Sequence, residues 1–184
     1  MERVLVPLAE GFEELEAITV IDLLRRARFE VTVAGLESGP VKASRGTVVL
    51  PDTDLDGVMQ TLFDMVVLPG GQPGSDHLEG DRRIRRLLRQ MNEEKRYIAA
   101  ICAAPKVLAN AGLLAGKKAT AYPGVLEQLP RAEAILSSEP VVRDGNIITS
   151  RGPGTAMDFA LTLIEVLAGK NRRHEVEVPL QRIG

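Results

Sequence analysis

Cys102 is the only cysteine in 184 residues, and its setting invites chemistry. It follows an apolar β-type run, Tyr97-Ile98-Ala99-Ala100-Ile101, and precedes Ala103-Ala104-Pro105-Lys106. Pro105 suits the first turn of a helix. A residue on such a strand-to-helix turn has the geometry of a nucleophile elbow, although Gly-x-Ser-x-Gly is absent. Free backbone N–H groups and the helix dipole favour an anion there, so the expectation is a thiolate at neutral pH. A buried structural cysteine is the competing reading, and position alone leaves both open.

Glu13, Glu14 and Glu16 form an acidic cluster after the first apolar run, at the start of a helical pattern. For Glu13 and Glu14, favourable charge at a helix N-terminus is sufficient explanation. Glu16 could instead face the strand ends. A carboxyl held against a thiolate has its ionisation opposed by like charge and burial, so it would stay protonated and donate a hydrogen bond to sulfur. Two glycine-rich turns, Leu68-Pro69-Gly70-Gly71 and Arg151-Gly152-Pro153-Gly154-Thr155, let backbone amides approach a ligand closely. Neither matches a dinucleotide or phosphate-loop spacing, and tight turns alone would also account for them. The two histidines, His77 and His174, lie in polar contexts away from strand ends and read as surface residues. No metal-ligand spacing is present, so no metal site is expected, and a conventional Cys–His pair would require His77 to fold back.

The elements that must position these groups alternate. Arg3–Leu8, Phe29–Gly35, Asp64–Leu68 and Tyr97–Ile101 read as buried strands, and Thr47–Leu50 as a short one, possibly antiparallel. Ala17, Val20, Ile21 and Leu24 mark one helix face, while Asp81–Lys95 carries Ile84, Leu87, Leu88 and Met91 on one stripe. Five arginines occupy that helix's other sides, and a solvated face balanced by acids elsewhere is the plainer reading. A short helix after Cys102 closes at Gly112. Asp144-Gly145 joins a hairpin, and a last helix runs from about Thr155 to Ala168. Alternating strands and helices imply an α/β fold with a mostly parallel sheet covered on both faces. Ligands in such sheets gather at the carboxyl ends of strands.

Composition narrows the function classes. Lys and Arg total 23 against 25 Asp and Glu, a net charge of −2, so nucleic acid is not an expected partner and neither is an anionic membrane. There is no Trp, with two Tyr and four Phe, too few for base-stacking platforms. The longest apolar run, Ile98–Ala104, is far short of the about 20 residues a membrane span needs. A lone thiol suits a reducing compartment, so the expectation is one cytoplasmic domain covering residues 1–184.

Four stretches together resemble the ThiJ/PfpI superfamily, in its branch of parkinsonism-associated protein deglycases and YajL-type proteins. They are Ala9–Ala17, Val66–Gly71, Ala99–Pro105 and Thr149–Thr155, in the order and spacing of that family. The resemblance implies a flavodoxin-like three-layer sandwich, usually a homodimer, that works without a cofactor. It makes Cys102 the nucleophile and Glu16 its protonated partner, with the Gly71 and Ala103 amides as an oxyanion pocket. Arg45 and Arg151 match positions lining an anion-accepting site near the dimer interface. Tyr122 stands where many relatives carry a histidine, which removes an obvious general base and implies low turnover. The implied activity is that of a glyoxalase III-like enzyme or protein deglycase on small α-oxoaldehydes or glycated proteins. The alternatives are a redox-sensing chaperone whose cysteine stops at sulfinate, and an amidohydrolase, against which the missing histidine argues.

Overall fold

The structure, a computed structural model, describes residues 1–182. In chain order its elements are β1 (Arg3–Leu8), α1 (Glu14–Arg26), β2 (Glu30–Gly35), β3 (Val41–Lys42), β4 (Val48–Val49), β5 (Thr53–Asp54) and β6 (Met65–Leu68). Then come α2 (Gly74–Gly80), α3 (Arg82–Glu93), β7 (Tyr97–Ile101), α4 (Pro105–Asn110), β8 (Lys118–Ala119), β9 (Ile135–Leu136), β10 (Val141–Asp144), β11 (Ile147–Ser150) and α5 (Ala156–Glu177).

Seven strands form one sheet in the order β10-β11-β7-β6-β1-β2-β5. Every pairing in it is parallel except β10 with β11, a hairpin in which Asp144 pairs with Ile147, so that Gly145-Asn146 makes the turn, one residue on from the expected Asp144-Gly145. Alternation along the strands divides two cores. Val4, Val6, Leu8, Met65, Val67, Ala99 and Ile101 face the side covered by α1 and α5. Leu5, Val66, Leu68, Ile98 and Ala100 face α2, α3 and α4. This is the three-layer, flavodoxin-like arrangement. Helix α3 shows why the pattern folds this way: Asp81 caps it, its carboxylate accepting from the amides of Arg83 (2.7 Å) and Ile84 (3.3 Å). Its stripe Ile84, Leu87, Leu88 and Met91 is buried, each side chain contributing roughly 1.5–3 kcal/mol.

The residues expected as a third strand, Thr47–Leu50, contribute Val48–Val49 to a separate antiparallel ribbon with β3, outside the main sheet. The sheet edge is instead the two-residue β5. Helix α2 carries no apolar periodicity beyond Leu78 and gave no sequence signal. The last helix is broken at Gly169, one residue past its expected end, where φ is +83°, and helical residues resume to Glu177.

The chain builds outward from β1 through β2 to β5, then crosses to β6, β7 and β11 on the other side. The reversal falls between β1 and β6, so the loops leaving their carboxyl ends converge there, beside the loop leaving β7.

Candidate active site

Those three loops carry the chemically competent groups. From β1 comes Gly11–Glu13 and then Glu16 in the first turn of α1. From β6 comes Gly70-Gly71, and from β7 comes Cys102. The peptides lock together: the Glu13 amide donates to the Gly70 carbonyl (2.9 Å) and the Cys102 amide to the Ser150 carbonyl (2.9 Å). The Tyr122 amide donates to the Cys102 carbonyl (2.8 Å). Cys102 is held at φ +65°, the left-handed region a residue with a side chain rarely occupies. Hydrogen bonds on both sides of its peptide hold that strained conformation.

Glu16 is completely buried. Its Oε2 accepts from the Gly70 amide at 2.8 Å, and its Oε1 is buried with no hydrogen-bond partner among the described residues. Burial raises its pKa from 4.5 to about 7, against the lowering effects of the Cys102 side chain and the Gly70 amide, with Glu13 adding repulsion. Cys102 is half-buried. Burial is the largest influence on its thiol, followed by the charge of Glu16 and the hydrogen bond to it; together they push the thiol up to about 12. The amides of Ala103 and Gly71 address the sulfur and pull the other way.

Desolvation and the adjacent Glu16 carboxyl thus oppose the thiolate expected from the helix start. Helix α4 has only six residues, and its dipole does not offset desolvation and an adjacent carboxylate. Cys102 and Glu16 behave as a pair that carries at most one negative charge around neutrality.

Gly70 went unnoticed as a site residue, although the paired glycines after β6 were visible. A Cβ there would stand 2.7 Å from both the Cys102 Cβ and the Glu16 Oε2. Only a bare backbone lets the sulfur and the carboxyl meet. A second unforeseen feature ties two loops together. Lys106 on α4 forms an ion pair with Asp76 on α2 and lies 3.7 Å from Glu79. The Gln72 amide bridges the same pair, donating to Asp76 (2.8 Å) and accepting from Lys106 (3.2 Å). Lys106 thereby ties the loop bearing Gly71 to the helix that follows Ala103.

The remaining anticipated residues are spread more widely. Tyr122 is exposed, and its ring lies over Gly152. Arg151 donates to the Ser138 carbonyl (3.1 Å) and lines a polar depression of about 330 Å³ with Thr120, Ser137 and Ser138; Cys102 is not part of that lining. Arg45 is exposed, and its guanidinium makes no hydrogen bond or ion pair among the described residues. Its backbone amide instead donates to Glu14 (3.0 Å), whose carboxylate the Ser44 hydroxyl and Thr47 amide also hold. Some burial acts to raise the Glu14 pKa, yet these donors hold it below its usual value. Arg45 and Arg151 are held by different segments, Arg45 through its amide by Glu14 and Arg151 by the Ser138 carbonyl. Both histidines are exposed. Among the described residues no group of three or more His, Cys, Asp or Glu is placed to hold a metal ion, and no helix is long and apolar enough to cross a membrane.

A strained cysteine at a strand-to-helix turn, backed by a buried glutamate at the switch point of a parallel sheet, defines a class of cysteine-bearing flavodoxin-like proteins. The chain belongs to the DJ-1/PfpI family, whose model matches residues 2–166. It is 50% identical over 173 residues to protein dj-1beta of Drosophila melanogaster, covering 94% of this chain and 92% of that relative. It is 35% identical over 171 residues to glutathione-independent glyoxalase DJR-1.2 of Caenorhabditis elegans, covering 93% and 91%. The structure of oxidized Toxoplasma gondii DJ-1 superposes with a TM-score of 0.94 at 38% identity, covering 100% of both chains.

Proposed function

We propose that the chain is a cofactor-free glyoxalase, with protein deglycation as the same chemistry on early adducts, and that Cys102 and Glu16 carry it. The observation behind this reading is the convergence of the Gly71 and Ala103 amides and the Glu16 carboxyl on one sulfur. The glyoxalase named among the relatives supports the substrate class.

Methylglyoxal serves as the example. The Cys102 sulfur attacks the aldehyde carbon, forming a C–S bond, while the carbonyl π pair moves onto oxygen. The thiol proton passes to Glu16, which is half-ionised near pH 7. The Gly71 and Ala103 amides stabilise the hemithioacetal oxyanion. Glu16 returns the thiol proton to the oxyanion, and its freed carboxylate, through the unpartnered Oε1, then moves a proton from the former aldehyde carbon to the neighbouring ketone carbon by way of an enediol. The hydroxyl proton passes between the two oxygens, so that the first becomes the thioester carbonyl. This isomerisation oxidises one carbon and reduces the other within the same molecule, giving a 2-hydroxyacyl thioester. Water cleaves the thioester to lactate and restores the thiol, with no external oxidant. Tyr122 in place of a histidine leaves Glu16 as the sole carboxyl shuttle, and turnover is correspondingly low. Replacing Cys102 by Ser or Ala abolishes lactate formation from methylglyoxal; retained activity rejects the proposal.

Redox sensing with chaperone activity is the second reading, supported by the oxidized state of the Toxoplasma gondii relative. The amides that would hold an oxyanion would equally accept sulfinate oxygens. A mass gain of two oxygens under mild peroxide, with suppression of aggregation and no turnover, selects it. Exposed Leu15 and Ile18 on α1, with Val48 and Leu50 nearby in sequence to the loop that grips Glu14, support a homodimer through that face. Arg45 lies in that loop, so a partner copy could complete the anion site with Arg151. A single catalytic domain in the cytoplasm is the setting this chemistry suits, since the thiol must stay reduced.

A further inference from the structure

Four of the five arginines on α3 have no carboxylate within ion-pair distance among the described residues. Arg83 is the exception, bound to Asp81 (2.7 Å), Asp56 (3.0 Å) and Glu37 (3.5 Å). Arg82, Arg85, Arg86 and Arg89 are all exposed, and they recur at i, i+3, i+4 and i+7, so they form one stripe opposite the buried face. Among the described residues their guanidinium groups make one hydrogen bond, from Arg85 to the Glu79 carbonyl at 3.3 Å. A shortage of acids is not the cause, since the chain carries 25 Asp and Glu and is net negative. The four are exposed, as a solvated face requires, and the acids that balance them in the total charge form no ion pair with them among the described residues.

The placement also opposes helix stability. Like charges at these spacings repel. Arg82 occupies the first helical position, beside the positive end of the dipole, and the first turn holds no acidic residue. The four arginines, with Gln90 and Glu93, line a shallow depression of about 460 Å³.

We propose that this stripe is a docking surface for an acidic segment of a partner protein. Guanidinium forks take carboxylates bidentately. The stripe extends roughly 10 Å along the helix, with neighbours about 5–6 Å apart, which suits three or four acidic side chains. A long polyanion would run onto the rest of a net-negative surface. The lining has no aromatic side chain to stack bases and no apolar one to enter a bilayer. The surface is independent of the chemistry assigned to Cys102.

The test is fluorescence anisotropy of a dye-labelled octaglutamate peptide with the full chain, alongside a labelled short DNA duplex and phosphatidylserine vesicles. The peptide binds, more weakly as salt rises, and Arg85→Glu with Arg89→Glu lowers its affinity about tenfold while Arg172→Glu leaves it unchanged. Unchanged alkylation of Cys102 and an unchanged circular dichroism spectrum show that the double variant is folded. Absent peptide binding, equal binding by the double variant, or tighter binding of the duplex or the vesicles overturns the proposal.

Discussion

Cys102 and Glu16 face each other across the bare backbone of Gly70, which donates its amide to the carboxyl at 2.8 Å. The carboxylate raises the thiol's cost of ionising, while the thiol's hydrogen bond eases ionisation of the carboxyl, so the sulfur and the carboxyl titrate together.

Gly70→Ala tests how tightly that wall is built. The new Cβ would stand 2.7 Å from two atoms that cannot both retreat, because Glu16 is buried and Cys102 is pinned through its peptide. The expected loss is about 1–3 kcal/mol of stability, read by urea unfolding, together with altered Cys102 alkylation. Unchanged values in both measurements mean the contact yields freely.

The buried carboxyl makes stability depend on pH. With its pKa raised from 4.5 to about 7, folded Glu16 holds a proton that the unfolded chain has lost in that window. Its contribution is complete below 4.5 and is lost as pH rises through about 7. Between pH about 5 and about 8, wild type should lose on the order of 3 kcal/mol relative to Glu16→Gln. Parallel denaturation curves for the two proteins at both pH values contradict the coupling.

Alkylation kinetics report the same pair from the sulfur's side. The iodoacetamide rate of wild type rises in two steps, near 7 as the pair loses its first proton and near 12 as it loses the second. Glu16→Gln removes the lower step and brings the upper one down, since the carboxylate's repulsion is gone. A single step near 9.0, the ordinary thiol value, in both proteins refutes a shared proton.

Lys106 links the two loops that supply the amides, through Asp76 and Gln72. Lys106→Met should lower kcat for lactate formation about tenfold, with little change in KM, by loosening the amides around the oxyanion. Lys106→Arg restores much of the loss because it keeps the ion pair. A loss shared equally by the Met and Arg variants, or seen only in thermal stability, removes Lys106 from a positioning role.

Much of the frame was legible in the chain. β1 and β7 occupy the spans their apolar runs marked, because strands buried on both faces need continuous hydrophobic residues. The stripe on α3, the hairpin turning at Gly145 and the end of the regular helix beside Gly169 follow from local periodicity and backbone preference alone. Cys102 stood out for the same reason, at the end of a run that had to be a strand.

Other features depended on contacts between residues far apart in sequence. Glu16 and Gly70 are 54 positions apart, yet they share a hydrogen bond, and no local pattern encodes that meeting. What opposes a thiolate at Cys102 is not legible in the chain, because a helix start is visible in sequence while desolvation and a neighbouring carboxylate are not. The arginines on α3 are balanced in the total charge, and only the fold showed that four of them form no ion pair among the described residues, although Glu93 lines the same depression. Sequence determined the long strands and the amphipathic helices, because propensity and burial pattern act along the chain, but not α2 or the edge strand β5, whose pairing is tertiary. Tertiary structure decided what opposes charge on the sulfur and which arginines go without an ion pair, because electrostatic energy depends on distances and solvent exclusion that exist only once the loops converge.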